Sequence, residues 1–491
     1  MNTIDNIIGY VVAYKQVSEN TTVRVLLTPN TPKGITKVGM PVKIIDGEWI
    51  YLGVVTRQMT IDNLSSREDY LSYIAQYGFD GILRNFASSN HVLRFIDVRL
   101  ISSENRGAVS PVDTAPTTSA IVVIPEEDFV KRHLGFSNGG VFLGYLYNTN
   151  YRVTIDLDRL LPTHGLVLGQ TGSGKSHFIG VLVEEALERG VPVLIFDYFG
   201  EYLTLSIPNA SGIQTDVRPK AYNVDRKNPL EIPVELRKII TMPEIVDYLD
   251  LSDQMRLAIH MALDKCKDQK IYTIDSLENC INTIRNKFKE QTIDGVRRRL
   301  YDLRRLNLKY GATKIEELIK NGSATVVDIS ELPNELQGLY ISYILDHLVE
   351  ARKRGTVDPV VVVIEEAHNF LGLNDTPANK KLRHLIRSGR KWGISIWLTS
   401  QRPAYLHPDV VNIVNTHVVF RVRGSDLEVV KRLIPLSNEE IEELPMLPTG
   451  VAYLATPVFR APIKIAVRSR RTLHGGTHPK FTKIKTQPLF P

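Results

Sequence analysis

The sequence predicts an α/β protein in three parts: a small N-terminal β-barrel, a doubly wound or RecA-like core, and a helical insertion within that core. Three observations carry this. Short apolar or alternating stretches separated by Gly, Pro and Asn fill the first hundred residues, which is the spacing of a small barrel. From Gly165 onward apolar strands alternate with helical periodicity, as in a sheet built through crossover helices. Between Pro233 and Asn321 that alternation stops and helical patterns take over.

The barrel strands read as IIGYVVAYKQV, TTVRVLL, PVKIIDGEWIYLGVVTRQ and LRFIDVRLIS, with a helical stretch from about Arg67 to Phe86 among them. SPVDTAPTTSA, from Ser110 to Ala120, is rich in Pro and Thr and reads as a linker or crossing loop. The expected divisions are therefore a barrel over 1–120, a first part of the core over 121–232, the insertion over 233–321, a second part of the core over 322–467, and a basic C-terminal arm over 468–491.

The core opens on THGLVLG, an apolar strand, followed by GQTGSGKS and then HFIGVLVEEALERG with helical periodicity. Gly169, Gly174, Lys175 and Ser176 occupy the fixed positions of a phosphate-binding loop. Glycines let successive backbone N–H groups turn inward around an anion, and the helix that follows aims its N-terminus at the same charge. Gly169, Gln170, Thr171, Gly172, Ser173, Gly174, Lys175, Ser176 and His177 are the expected nucleotide contacts. Lys175 serves the β- and γ-phosphates, and the Ser176 hydroxyl serves Mg²⁺.

Three more strands bring polar groups to their carboxyl ends, where functional residues collect in such sheets. VPVLIFD ends in Asp197, which suits orientation of water or metal; the same residue also suits a cap on the following turn. VVVVIEEAHNFLG delivers Glu365 and Glu366, with Glu365 expected to hold Mg²⁺ and Glu366 to polarise the attacking water. GISIWLTSQRP ends in Thr399, Ser400, Gln401 and Arg402, groups placed to sense a γ-phosphate or to form an ordinary polar turn.

Between those last two strands, NKKLRHLIRSGRKWG carries Lys380, Lys381, Arg383, Arg387, Arg390 and Lys391. Such a row binds phosphate backbones; Arg387 or Arg390 also suits an arginine finger reaching a neighbouring subunit, and a solvated face is the third reading. GVRRRLYDLRRL reads as a solvated or interface face. The tail after Val467 holds Arg468, Arg470, Arg471, Lys480, Lys483 and Lys485 without an acid; it reads as an arm gripping a neighbour or DNA, or as a disordered terminus.

A formal net charge of +6 is a mild bias toward polyanions. Cys266 and Cys280 sit 14 apart without His or Cys companions and read as reduced thiols of a cytoplasmic protein. No apolar run reaches spanning length, so no membrane is expected.

Together these residues resemble the HerA family of DNA translocases, which stands with FtsK and the conjugative type IV secretion ATPases. HGLVLGQTGSGKS is similar to the family's phosphate loop, FDYFGEY to its second motif, IEEAHNF to its Asp-Glu-Ala-His motif with Glu365 in place of Asp, and SGRKWGISIWLTSQRP to the arginine and glutamine segment shared with FtsK. The resemblance implies a ring-shaped hexamer with ATP and Mg²⁺ between subunits. It assigns Lys175, Glu366, Asp197 and Gln401 to one protomer's catalysis, and Arg390 or Arg387 to its neighbour's. Lys380, Lys381 and Arg383 would hold double-stranded DNA, and a NurA-type nuclease would be the partner in DNA end resection and recombinational repair. The other expectations are a conjugative or packaging DNA pump, a nucleotide switch that moves nothing, and a ring that threads polypeptide.

Overall fold

The computed structural model describes residues 7–12, 22–62, 92–209, 217–227, 240–241, 245–246, 249–271, 273–305, 314–330, 332, 334–373 and 377–475. The chain divides into two compact units, Met1–Leu160 with Thr416–Val467, and Leu161–Asn415 with Arg468–Pro491.

The first unit opens with strands β1 (Ile7–Val12), β2 (Thr22–Leu27), β3 (Pro41–Asp46), β4 (Trp49–Asp62), β5 (Val92–Asn105), β6 (Ala108–Ser110) and β7 (Ile121–Val123). Their order is β2-β1-β7-β3-β4-β5-β6, and a further β2–β5 pairing closes six of them into a barrel. Closure leaves no open edge, and alternate residues fill the interior: Val25, Ile44, Ile96, Val98 and Val122 are fully buried. The barrel expected from alternation is therefore present. Its end is later than residue 120, because β7 is a barrel strand paired with β1 and β3. The Pro/Thr-rich stretch before it runs along the barrel, where Thr117 donates its N–H and hydroxyl to Asp46 at 2.7 and 2.8 Å. The helical stretch expected over Arg67–Phe86 lies outside the described residues. Helix α1 (Glu127–Leu134) and strands β8 (Val141–Leu146) and β9 (Arg152–Ile155) follow.

In the second unit the phosphate-loop strand is β10 (Gly165–Leu168), followed by helix α2 (Lys175–Glu188), β11 (Val193–Asp197) and β12 (Asn223–Lys227). Helices α3 (Asp253–Lys265), α4 (Ile274–Asn282) and α5 (Glu290–Arg305) form the insertion, after which come β13 (Ser323–Asp328), α6 (Asn334–Arg354), β14 (Val360–Ile364), α7 (Pro377–Gly389) and β15 (Ile394–Ser400). The strand order is β12-β13-β11-β14-β15-β10, and every pairing in it is parallel. β10, β11, β14 and β15 are buried along their whole length, as strands covered on both faces must be. Gly165 makes room for this packing: a Cβ there would lie 2.1 Å from the buried indole of Trp397. The polar edge strand β12 has no strand-like pattern in the sequence and takes its place by backbone pairing to β13.

Cys266 and Cys280 form a disulfide between the C-terminus of α3 and α4, with Cα atoms 6.0 Å apart. The expectation of reduced thiols is corrected: both side chains are buried on facing helices, where a spacing that meant nothing in sequence becomes bonding geometry.

The chain then returns to the first unit with β16 (Thr416–Val419), helix α8 (Asn438–Glu443), β17 (Val451–Ala455) and β18 (Ile463–Val467). Antiparallel pairing joins β16, β17, β18, β8 and β9 in that order. Residues 416–467, expected in the second part of the core, thus fold with the N-terminal unit. No helix among the described residues is long and apolar enough to cross a membrane.

Candidate active site

The parallel order sets the loop after β10 beside the carboxyl ends of β15, β14 and β11. Gly172 and Gly174 take φ of 71° and 120°, a backbone region that side chains rarely adopt. That conformation makes the loop's concave path. Ser173 Oγ donates to the Gln170 carbonyl at 2.7 Å and tightens it. The buried Lys175 ammonium curls into the same loop, donating to the Gly169 and Gln170 carbonyls at 2.8 and 3.2 Å. Burial lowers its pKa against the pull of Glu366, Glu365 and Glu201. Ser176 follows on the first turn of α2.

A continuous hydrogen-bonded chain spans the site. The Thr171 hydroxyl donates to Gln401 Oε1 at 2.6 Å, and Gln401 Nε2 donates to Glu366 Oε1 at 2.6 Å. Gln401 thereby ties the phosphate loop to the carboxylate at the end of β14. Glu366 sits at φ 46°, a left-handed conformation that costs a non-glycine residue about 1–3 kcal/mol. Its amide donates to Thr399 Oγ1 at 3.2 Å, which holds that backbone in place. Its second oxygen, Oε2, is buried without a hydrogen-bond partner among the described residues. Burial raises the Glu366 pKa, opposed chiefly by Lys175. His368 Nδ1 lies 3.3 Å from that oxygen. Burial, Arg402 and Lys175 hold the His368 pKa down at about 4, so the ring is neutral there at pH 7. A buried carboxylate oxygen with no donor, set near the lysine of a phosphate loop, suits a water molecule in line with a phosphoryl group. The residues present fit a nucleoside triphosphate.

Asp197 is placed otherwise than the water-activating reading expected. Its Oδ1 accepts the amides of Phe199, Gly200 and Glu201 at 3.1, 2.8 and 3.2 Å, and Oδ2 accepts that of Tyr202 at 3.0 Å. The carboxylate is wholly taken up in folding the 198–202 loop, the capping alternative. Glu365 is buried with its Oε2 accepting the Tyr198 amide at 3.1 Å. Burial, then Asp197 and Glu201, push its pKa well above the usual carboxylate range. As placed, its carboxyl group faces the loop after β11. His177 also departs from the nucleotide: its Nε2 donates to the Arg468 carbonyl at 2.8 Å, and its ring meets His474 edge-on at 5.8 Å.

The basic row does not form one surface. Arg383 is buried at 8% exposure, and Lys381 pairs with Asp346 of α6 at 3.0 Å. Those two depart from the expected DNA face, Arg383 by being covered and Lys381 by its ion pair with α6. Lys380, His384, Arg387 and Lys391 are exposed at the spacing of one helix face, with Arg390 exposed beside them. The tail departs more. Arg468 is 1% and Arg470 2% exposed, and Arg468 pairs with Glu184 and Glu185 of α2 at 2.9 and 2.8 Å. Lys480, Lys483 and Lys485 lie outside the described residues. Sequence reasoning named Thr171 only as a loop contact and missed its bond to Gln401. It missed Glu184 altogether, although a run of two acids on an otherwise apolar helix is a signal that something basic must reach them.

Residues 141–348 match the family model described as the helicase HerA central domain. The DNA double-strand break repair helicase HerA of Sulfolobus acidocaldarius is 26% identical over 367 residues, which are 71% of this chain and 73% of that protein. A probable DNA double-strand break repair helicase HerA of Methanocaldococcus jannaschii is 23% identical over 458 residues, 81% of this chain and 89% of that protein. Among solved structures, VirB4 of Thermoanaerobacter pseudethanolicus superposes with a TM-score of 0.50 at 18% identity, over 68% of this chain and 98% of that one. The fold is that of a P-loop ATPase, and the resemblance read from the motifs is borne out over most of the chain.

Proposed function

We propose that this chain, which carries a HerA central domain in a P-loop ATPase fold, is an ATP-driven motor that moves along double-stranded DNA. The observation that carries the reading is the Thr171–Gln401–Glu366 chain. A glutamine bonded both to the phosphate loop and to the carboxylate beside the attacking water changes partners when the γ-phosphate leaves. It then passes that change to the end of β15. Such a relay turns hydrolysis into motion.

In this reading Lys175 and the loop amides bind the phosphates. Ser176 and Glu365 would hold Mg²⁺, which would supply charge neutralisation on the phosphates. Glu366 accepts hydrogen from the attacking water. Asp197 positions the 198–202 loop and takes no part in proton transfer. Arg390 or Arg387, exposed on or just beyond α7, reaches the neighbouring protomer's γ-phosphate in a hexameric ring, where a supplied arginine stabilises developing charge. Lys380 and the rest of the exposed stripe face the duplex backbone. The Sulfolobus acidocaldarius relative is a DNA double-strand break repair helicase. Cytoplasmic end resection with a NurA-type nuclease, docked on the barrel, is the corresponding role for this chain.

Steady-state ATP hydrolysis with Mg²⁺, with and without linear duplex DNA, tests this in wild type and Lys175→Ala. A rate that duplex DNA raises and Lys175→Ala abolishes is expected. Hydrolysis indifferent to DNA would remove the motor and leave the nucleotide switch.

A further inference from the structure

Helix α2 is buried nearly all round, and Glu184 in its third turn has no exposure at all. A buried carboxylate is tolerated only when it is fully paired. Here everything that pairs it comes from one segment, Arg468–Thr472. Arg468 Nη1 donates to Glu184 Oε2 at 2.9 Å. The Arg471 amide donates to the same oxygen at 3.0 Å. The Thr472 amide and hydroxyl both donate to Oε1, at 2.9 and 2.8 Å. Four donors on two oxygens lock that segment's backbone against the helix.

Two further contacts carry the lock to the nucleotide. At the start of α2, His177 donates to the Arg468 carbonyl at 2.8 Å; His177 is the residue after Ser176. At the far end, Gly475 lies against the 198–202 loop so closely that a Cβ would meet the Glu201 carbonyl at 2.3 Å. The segment therefore bridges the first turn of the phosphate-loop helix and the loop that follows β11.

The geometry points to Glu184 as a positioning residue of the ATPase: by locking Arg468–Thr472 onto α2 it fixes, through the His177–Arg468 bond, the first helical turn that presents Lys175 and Ser176 to phosphate. The inference rests on the nucleotide reading of the loop. Glu184 touches no nucleotide and acts only through the segment it holds. Glu185 pairs with the same arginine but accepts no backbone amide of the segment among the described residues, so Glu184 is the specific hub.

The test uses the full chain with Mg²⁺ and two variants, Glu184→Gln and His177→Leu. Affinity is read by titration with a fluorescent ADP analogue, turnover by ATP hydrolysis, and folding by thermal melting. Roughly ten-fold weaker nucleotide binding is expected for each variant, since displaced supporting contacts typically have effects of that size. His177→Gln, whose side-chain amide can donate from the position of the histidine Nε2, should recover most of it, and the Glu184→Gln/His177→Leu double variant should be no worse than the worse single one. If both single variants lower the melting temperature yet bind and hydrolyse as wild type does, Glu184 is structural only and the inference falls. If Glu184→Gln does not fold, His177→Leu alone decides in the same way. A wild-type protein that binds ADP without hydrolysing ATP would sink the motor reading while the affinities still judge this one. Wild type that binds no nucleotide would overturn both.

Discussion

Asp197 and Glu366 stand one strand apart at the carboxyl edge of the same parallel sheet, and they have been put to opposite uses. Asp197 has four amide donors on its two oxygens, so nothing of it is left for a substrate. Glu366 has one oxygen held by Gln401 and the other buried with no hydrogen-bond partner among the described residues, on a backbone forced to φ 46°. A satisfied carboxylate is architecture. A strained, half-satisfied one next to a phosphate loop is what the proposed water-activating role of Glu366 requires.

The sharpest way to break this comparison is to remove each charge in turn. Glu366→Gln should fold and bind ATP, while hydrolysis falls by about 10²–10⁴-fold, the usual contribution of a general base. Single-turnover hydrolysis with bound ATP checks it; a rate within a few-fold of wild type would show that the base lies elsewhere. Asp197→Ala should do the reverse. Of the four donors only the Tyr202 amide belongs to a buried residue; left without an acceptor it costs about 1–3 kcal/mol, so chemical denaturation should show a loss of about that size. Turnover per folded molecule should change only a few-fold. If turnover collapses while stability holds, Asp197 belongs to the reaction after all.

The same pair shows what sequence can and cannot reveal. GQTGSGKS and IEEAHNF announce themselves because backbone path and strand register follow from local pattern, and both lie where the pattern puts them. A carboxylate's partners do not follow from local pattern. Asp197 reads equally as a base and as a cap until the amides of residues 199–202 are seen to surround it. Burial within a helix is half legible: the 3.6 period puts Lys380, His384, Arg387 and Lys391 on one face, but Arg383, one turn before exposed Arg387, is covered by what packs beside α7, which local pattern does not show. Long-range closure is the least legible. Nothing in Ile121–Val123 says that it belongs to a barrel whose other strands end before residue 111. Nor does Arg468 announce a partner 284 positions away.

The link between the loop and Glu366 gives a smaller effect of a different kind. Gln401→Ala should slow hydrolysis by about ten-fold, and Thr171→Val by a few-fold, as expected for hydrogen bonds that position without transferring a proton. Because both sit in one chain, their effects should not add. A double-mutant cycle on ATP turnover should give a coupling of about 0.5–3 kcal/mol. Strict additivity would mean that Thr171 and Gln401 act independently, and the proposed relay would lose its mechanical basis.

The smallest expected effect is also the one with the clearest sign. Burial raises the folded-state pKa of Glu366 above its ordinary value of 4.5. For an acid shifted upward, the folded protein prefers the protonated form. Its contribution to stability is complete below the unfolded pKa and is lost as pH rises through the folded one. Above that range the ionised Glu366 therefore burdens the fold, and Glu366→Gln, neutral at every pH, should melt at a higher temperature than wild type. At pH 4 and below the two should melt alike. Asp197→Asn should melt lower at neutral pH, because an amide offers one acceptor oxygen to a loop that uses two. Melting curves of the three proteins across pH 4–8 test the contrast with no nucleotide present. If Glu366→Gln were destabilised like Asp197→Asn, then Glu366 would be a structural carboxylate too, and the strain at its backbone would need another cause.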